Sequence, residues 1–224
     1  AVTELFYDHH CFDDRCFMDF TNSTGETDWP RRPNGRINQF DSKLMHWRSQ
    51  QIAGVMQQLG TVVHKHGKHL DLDVRVSRDD LTRNSAENGQ DYQLLAPHID
   101  RFVVWEYFAL KNLPPESSGR VAAYFDDEYG PGRSILSIGL WSKDEFSLGF
   151  WRRAPAFIDA DQLRRSLYAA RLGGANDVWI TPAKELTAEH WQVIKDWVLD
   201  KNISTGSDIN AALAAEHLTQ YTLD

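Results

Sequence analysis

His69-Leu70-Asp71-Leu72-Asp73-Val74-Arg75-Val76 alternates polar and apolar side chains from end to end. Period-two alternation puts Leu70, Leu72, Val74 and Val76 on one face of a strand and Asp71, Asp73 and Arg75 on the other. In an open parallel sheet with helices on both sides, strands are apolar on both faces. Barrel strands instead point polar residues into the interior near the top. Asp73 and Arg75 fit such interior positions, as do Ser137 and Thr181 on later strands.

Working outward, several apolar runs end in groups that do chemistry. Leu5-Phe6-Tyr7 ends at Asp8-His9-His10, Phe102-Val103-Val104-Trp105 at Glu106-Tyr107, and Ile135 to Leu140 at Trp141. Helical patterns lie between these runs. Asp41 caps a stripe of Leu44, Trp47, Ile52, Val55, Met56, Leu59 and Val63, which Gly67 stops. Short helices are expected around Tyr92 to Ile99 and over 118–126. Asp159 or Asp161 starts a further one with Leu163, Leu167 and Ala170 inward, ended by Gly173-Gly174. Thr187 caps another that buries Trp191, Ile194 and Trp197, and a last helix is expected over 208–216. The polar stretch after the first strand, with Thr21 to Gly25, Pro30, Pro33 and Gly35, reads as a long loop.

Five strands, near 4–8, 69–76, 102–108, 134–141 and 177–181, recur with helices between them, the pattern of right-handed βαβ units in a parallel sheet. Five are too few for a closed barrel. The α/β reading is therefore about the last five βα units of a (β/α)8 TIM-like barrel, as a single partial domain over 1–224. An open five-stranded parallel α/β sheet is the alternative.

A net charge of -8 offers no basic footprint for a phosphate backbone, so no nucleic-acid partner is expected. Eight Trp, seven Tyr and eleven Phe supply flat rings that stack on sugar faces. No stretch reaches the ~18 apolar residues of a transmembrane helix, and Ala1-Val2-Thr3-Glu4 does not resemble a signal peptide. Cys11 and Cys16 either close a small disulfide or sit as two separate small apolar side chains. Gly-x-Gly-x-x-Gly, P-loop and Gly-x-Ser-x-Gly patterns are absent, and no cofactor is expected.

Leu5-Phe6-Tyr7-Asp8-His9-His10-Cys11-Phe12 resembles the strand ending in His-Asp-Asp-Ala in the glycoside-hydrolase-like carboxyl-terminal barrel domain of bacterial poly-N-acetylglucosamine-processing proteins. A long helix follows, then a strand and loop with Arg78 and Ser85-Ala86-Glu87. Ile99-Asp100-Arg101-Phe102-Val103-Val104 then enters a strand carrying Glu106-Tyr107-Phe108. The likeness runs over roughly residues 4 to 115. It implies a barrel, a polysaccharide substrate containing amino sugars, and a secreted or periplasmic bacterial setting. Where that family has adjacent aspartates this chain has Asp8 then His9, so Asp8 alone carries over.

Glycosidic cleavage takes a proton donor and a second group that stabilises the oxocarbenium-like centre, commonly two carboxyls ~5 to 9 Å apart. Asp8 and Glu106 are the catalytic candidates, each at the end of an apolar run whose partial burial favours the protonated acid. Strand alternation also allows the opposite for Glu106, with Trp105 and Tyr107 facing inward and Glu106 facing the helices. Asp8 has a bland reading as a loop cap or a partner for Arg75, and Asp71, Asp73 and Arg75 have one as an internal ion-pair layer. Substrate binding is assigned to His9, His10, Asp73, Arg75, Tyr107, Trp141 and Trp179. Two rivals remain: a non-catalytic polysaccharide-binding barrel, and a metal-dependent hydrolase or deacetylase built on Asp8, His9 and His10. Alternation turns His9 away from Asp8 and His10, so no metal site is expected. His64, His66 and His69 read as a solvated helix end.

Overall fold

The computed structural model describes residues 2, 12–76, 81, 88–142 and 156–199. Strand 4–8 with Asp8, His9, His10 and Cys11, the Arg78 and 85–87 positions, and the helix expected over 208–216 lie outside the described residues. In chain order the elements are α1 (Asp14–Thr24), α2 (Ser42–Lys65), β1 (Asp71–Arg75), α3 (Tyr92–Leu95), β2 (Arg101–Glu106) and α4 (Ser117–Tyr129). They continue with β3 (Ser134–Gly139), α5 (Ala160–Leu172), β4 (Asp177–Thr181) and α6 (Ala188–Leu199).

The strands form a four-stranded parallel sheet in the order β1-β2-β3-β4. That order separates the two architectures. A doubly wound sheet reverses its strand order at a switch point, whereas a barrel wall adds each strand beside the last. Right-handed crossovers in a monotonic order carry every connecting helix to the same side, and α5 packs on α4 and α6 as that requires. The strand order is the one a (β/α)8-type wall has. Val2 adds a parallel bridge to Leu72, with hydrogen bonds of 2.8 Å on either side of it, from Val2 N–H to the Asp71 carbonyl and from Asp73 N–H to the Val2 carbonyl. Two compact units divide within β2, at Val103 and Val104.

In the first unit α1 replaces part of the expected long loop. Asp13 caps it by accepting from Cys16 N–H at 2.8 Å, and Gly25 ends it at φ 74. Polar residues hide its short apolar stripe, but Phe20 stacks on Trp29 at 4.8 Å and meets the edge of Trp47 at 5.7 Å. Such rings each contribute about 1.5–3 kcal/mol on burial, enough to hold three turns of a polar sequence. Cys16 is disulfide-bonded, and Cys11 is the chain's only other cysteine. The α2 cap at Asp41 is as expected, but Val55 and Leu59 of its stripe are exposed.

The histidine cluster at the foot of β1 is organised rather than merely solvated. Asp100 accepts from Leu70 N–H at 2.6 Å and meets His64 Nε2 at 2.8 Å and His69 Nδ1 at 3.5 Å. Burial pushes its carboxyl up, and the Leu70 amide with the two histidines outweighs that, holding it below the ordinary range.

In the second unit α4 and α5 cross closely because glycines line the contact. A Cβ at Gly119 would stand 2.8 Å from the Ala169 carbonyl oxygen. Ser118 and Ser166 hydroxyls bond at 2.7 Å across the crossing, and Arg165 holds Glu116 through two hydrogen bonds of 2.5 and 2.9 Å. In α6 the buried set is His190, Val193 and Trp197, so Trp191, expected inside, is exposed. His190 folds back to accept from Thr187 N–H through Nδ1 and donates from Nε2 to the Ile158 carbonyl, each at 3.1 Å. That pairing sets the rotation of the helix.

Candidate functional site

The second unit carries an aromatic face where β2 and β3 end. On β2 and just beyond it, Trp105 and Tyr107 project to the same side, their rings parallel within 8° and 5.7 Å apart. Tyr107 also meets Trp141 at 5.4 Å and 62°. Gly139 makes this possible: a Cβ there would lie 2.5 Å from Tyr107 Cδ1 and 2.9 Å from Cγ, so only a glycine leaves the ring its seat against the sheet. Trp141 is fixed from behind, since it bridges Phe157 in an antiparallel sense. Hydrogen bonds from Ser142 N–H to the Ala156 carbonyl and from Ile158 N–H to the Leu140 carbonyl, each 2.8 Å, hold the segment.

Trp179 belongs to the same face by register. It stands beside Ser137, as Thr181 stands beside Gly139. Its ring is 44% exposed and makes no ring contact among the described residues. The face thus has a tight cluster of Trp105, Tyr107 and Trp141 and an outlying tryptophan one strand away. Half-buried rings on a rigid strand end suit the apolar face of a pyranose.

Glu106 is elsewhere. Its carboxylate, 1% exposed, accepts from Ser117 Oγ at 2.6 Å and from Lys111 Nζ at 3.2 Å, on the side of the strand that meets α4. The physical reason is alternation: if Trp105 and Tyr107 line the open face, Glu106 between them points to the helices. The alternative orientation weighed from the sequence is the one adopted. Lys111 Nζ also donates to the Trp105 carbonyl at 3.3 Å, so Glu106 and Lys111 tie the segment after β2 to the start of α4.

In the first unit β1 shows the ionic face expected of it. Asp71 binds Arg101 through two hydrogen bonds, Nε to Oδ1 at 3.0 Å and Nη2 to Oδ2 at 2.9 Å, a partner on β2 that lies outside the expected layer of Asp71, Asp73 and Arg75. Asp73 is buried, and Arg75, at the strand's carboxyl end, is half-buried. Gln90, fully buried, braces this end: its Nε2 donates to the Asp73 carbonyl at 2.9 Å, and its Oε1 accepts from Arg75 N–H at 3.0 Å. Tyr92 Oη donates to the Arg75 carbonyl. A side-chain amide thus satisfies backbone groups as a neighbouring strand would.

Gly139, Lys111, Ser117 and Gln90 were not singled out from the sequence, and Trp105, placed facing inward with Tyr107 in one reading of the alternation, was not assigned to the site. Only Trp105 had a legible signal, its place two residues before Tyr107 on one strand. Among the described residues no group of three or more His, Cys, Asp or Glu stands in metal-binding range, and no helix is long and apolar enough to cross a membrane.

No family model matches the chain, and no curated protein sequence matches it. Solved structures it is similar to include two chitinases and a glycoside hydrolase domain. The chitinase from Chromobacterium violaceum ATCC 12472 is 10% identical, with 75% of this chain and 77% of that chain covered and a TM-score of 0.48. The glycoside hydrolase domain of PgaB (BpsB) from Bordetella bronchiseptica is 15% identical over 76% of this chain and 44% of that chain, with a TM-score of 0.47. A class V chitinase from Pseudomonas fluorescens Pf-5 is 11% identical over 82% of this chain and 84% of that chain, with a TM-score of 0.49.

Proposed function

We propose that the protein cleaves glycosidic bonds in a polysaccharide containing amino sugars, with Tyr107 and Trp141 as the sugar platform of the second unit and Asp8 as the assigned proton donor. The observation that carries this reading is the ring cluster seated on Gly139 at the carboxyl ends of parallel strands, where such folds keep their reactive groups. Trp179 extends the contact along the polymer. His9, His10, Asp73 and Arg75 are assigned to substrate binding by their residue types, as donors and acceptors for sugar hydroxyls. The Cys16 disulfide supports an oxidising, extracytoplasmic setting for this chemistry.

One observation favours a second reading. Because Lys111 and Ser117 occupy the Glu106 carboxylate, Asp8 is left as the one assigned catalytic acid, and a barrel with a single acid can bind polysaccharide without cutting it. Release of oligosaccharides from poly-N-acetylglucosamine by wild type and by Asp8→Asn separates the two. Cleavage lost in the variant with oligosaccharide binding retained supports the hydrolase. Binding without cleavage by wild type supports the binding barrel, and neither activity refutes both.

A further inference from the structure

The first unit holds a cavity of about 520 Å³ that the reading above does not use, lined by Phe12, Arg32, Arg36, Ile37, Gln39 and Phe40. Its rim is a short hairpin. Arg31 and Ile37 bridge in an antiparallel sense, Arg32 N–H donates to the Arg36 carbonyl at 2.8 Å, and Gly35 N–H, at φ 79, closes the turn onto the Arg32 carbonyl at 2.9 Å. Arg32 and Arg36 are therefore opposed across the turn with both side chains on one cavity.

Like charges directly opposite each other on paired strands destabilise them. The next arginine shows how the fold usually answers this, since Arg31 is neutralised by Asp28 at 3.1 Å and also donates to the Gly35 carbonyl. Among the described residues no carboxylate forms a salt bridge with Arg32 or Arg36. In a chain of net charge -8, two arginines converging on one cavity with no salt-bridged carboxylate among the described residues stand out.

The floor is apolar and fixed. Phe12 and Ile37 pack on the Phe20, Trp29 and Trp47 core, and Phe12 meets the edge of Trp29 at 5.4 Å. The Arg32 guanidinium lies 5.5 Å from the Phe40 ring centre, which restricts where it can swing. We propose that this cavity binds an acidic sugar residue: the guanidinium forks take its carboxylate, and the Phe12 and Phe40 rings cover the pyranose. Guanidinium geometry matches a planar carboxylate in a bidentate manner, and the bound charge removes the repulsion across the hairpin.

The test is calorimetric titration of the whole chain with a glucuronic-acid disaccharide, the neutral methyl ester of the same disaccharide, and inorganic phosphate. The uronate is expected to bind, the ester to bind at least about tenfold more weakly, and Arg32→Gln and Arg36→Gln each to weaken uronate binding about tenfold, the scale of one charge-assisted hydrogen bond. Each variant is also expected to match or exceed the parent's urea midpoint, because removing either charge relieves the opposed pair. Equal binding of uronate and ester, uronate affinity unchanged in both variants, or phosphate binding as tightly as the uronate would overturn the proposal, as would no uronate binding at all. Cleavage of neutral oligosaccharide does not enter the result, so this site and the Asp8 reading stand or fall separately.

Discussion

Glu106 separates a structural carboxylate from a catalytic one, and Glu106→Gln and Glu106→Ala measure the difference. The carboxylate is 1% exposed, its Lys111 partner 20% exposed, and Ser117 is buried. Removing one member of a buried ion pair costs about 3–5 kcal/mol because the other charge is left behind. Lys111 keeps its bond to the Trp105 carbonyl and some access to water, which places Glu106→Ala near the lower end, about 3 kcal/mol. Glu106→Gln retains an oxygen for Ser117 and gives up the charge, a loss of about 1.5 kcal/mol, the lower end of the range for a charged hydrogen bond. Urea unfolding followed by tryptophan fluorescence reads both, as a lower midpoint with an unchanged slope. Cleavage per folded molecule is expected to change less than about threefold in Glu106→Gln, far below the loss of about 100-fold or more that goes with removing a general acid. A Glu106→Gln protein as stable as its parent but without cleavage would refute the structural assignment and restore Glu106 to the catalytic pair.

Gly139→Ala forces the Tyr107 ring from its seat; overpacking of this kind costs about 1–3 kcal/mol, and oligosaccharide affinity, read by fluorescence titration, is expected to fall with it. Asp100→Ala strands the Leu70 amide and should cost about 1–3 kcal/mol at neutral pH, measured by urea unfolding. Because the Asp100 carboxyl is held below its ordinary value of 3.8, its contribution is complete above that value and is lost as pH falls through the lower folded one. Wild type should therefore lose its stability advantage over Asp100→Ala as pH falls below the ordinary carboxyl value of 3.8, and a gap that stays constant on acidification would contradict the assignment. Arg165→Ala removes the two-pronged hold on Glu116; with the arginine half exposed, a loss of about 1 kcal/mol is expected in the same assay.

Periodicity carried most of the fold. The alternation of 69–76 put Asp71, Asp73 and Arg75 together on one face, and Asp41, Asp159 and the glycines at 173 and 174 marked helix ends that the structure keeps. What failed was decided by tertiary contact. Helix α1 is polar enough to read as loop, and its stability comes from Phe20 meeting Trp29 and Trp47, residues far apart in sequence. Rotation of α6 turned on a histidine folding back onto Thr187, which exchanged Trp191 for His190 in the core. In the candidate site, alternation alone could not say which of two adjacent residues faces inward. Lys111 and Ser117 settle Glu106, and neither is recognisable as its partner until the chain is folded.

The central claim is that the ring cluster on Gly139 is where sugar binds. A tryptophan-fluorescence titration with N-acetylglucosamine oligosaccharides, on wild type, Trp141→Ala and Asp8→Asn, tests it most directly. The account requires a saturable change in wild type and Asp8→Asn, weakened about tenfold or more in Trp141→Ala, the loss expected of a stacking anchor worth about 1.4 kcal/mol or more. No saturable change in wild type, or full affinity in Trp141→Ala, would contradict it.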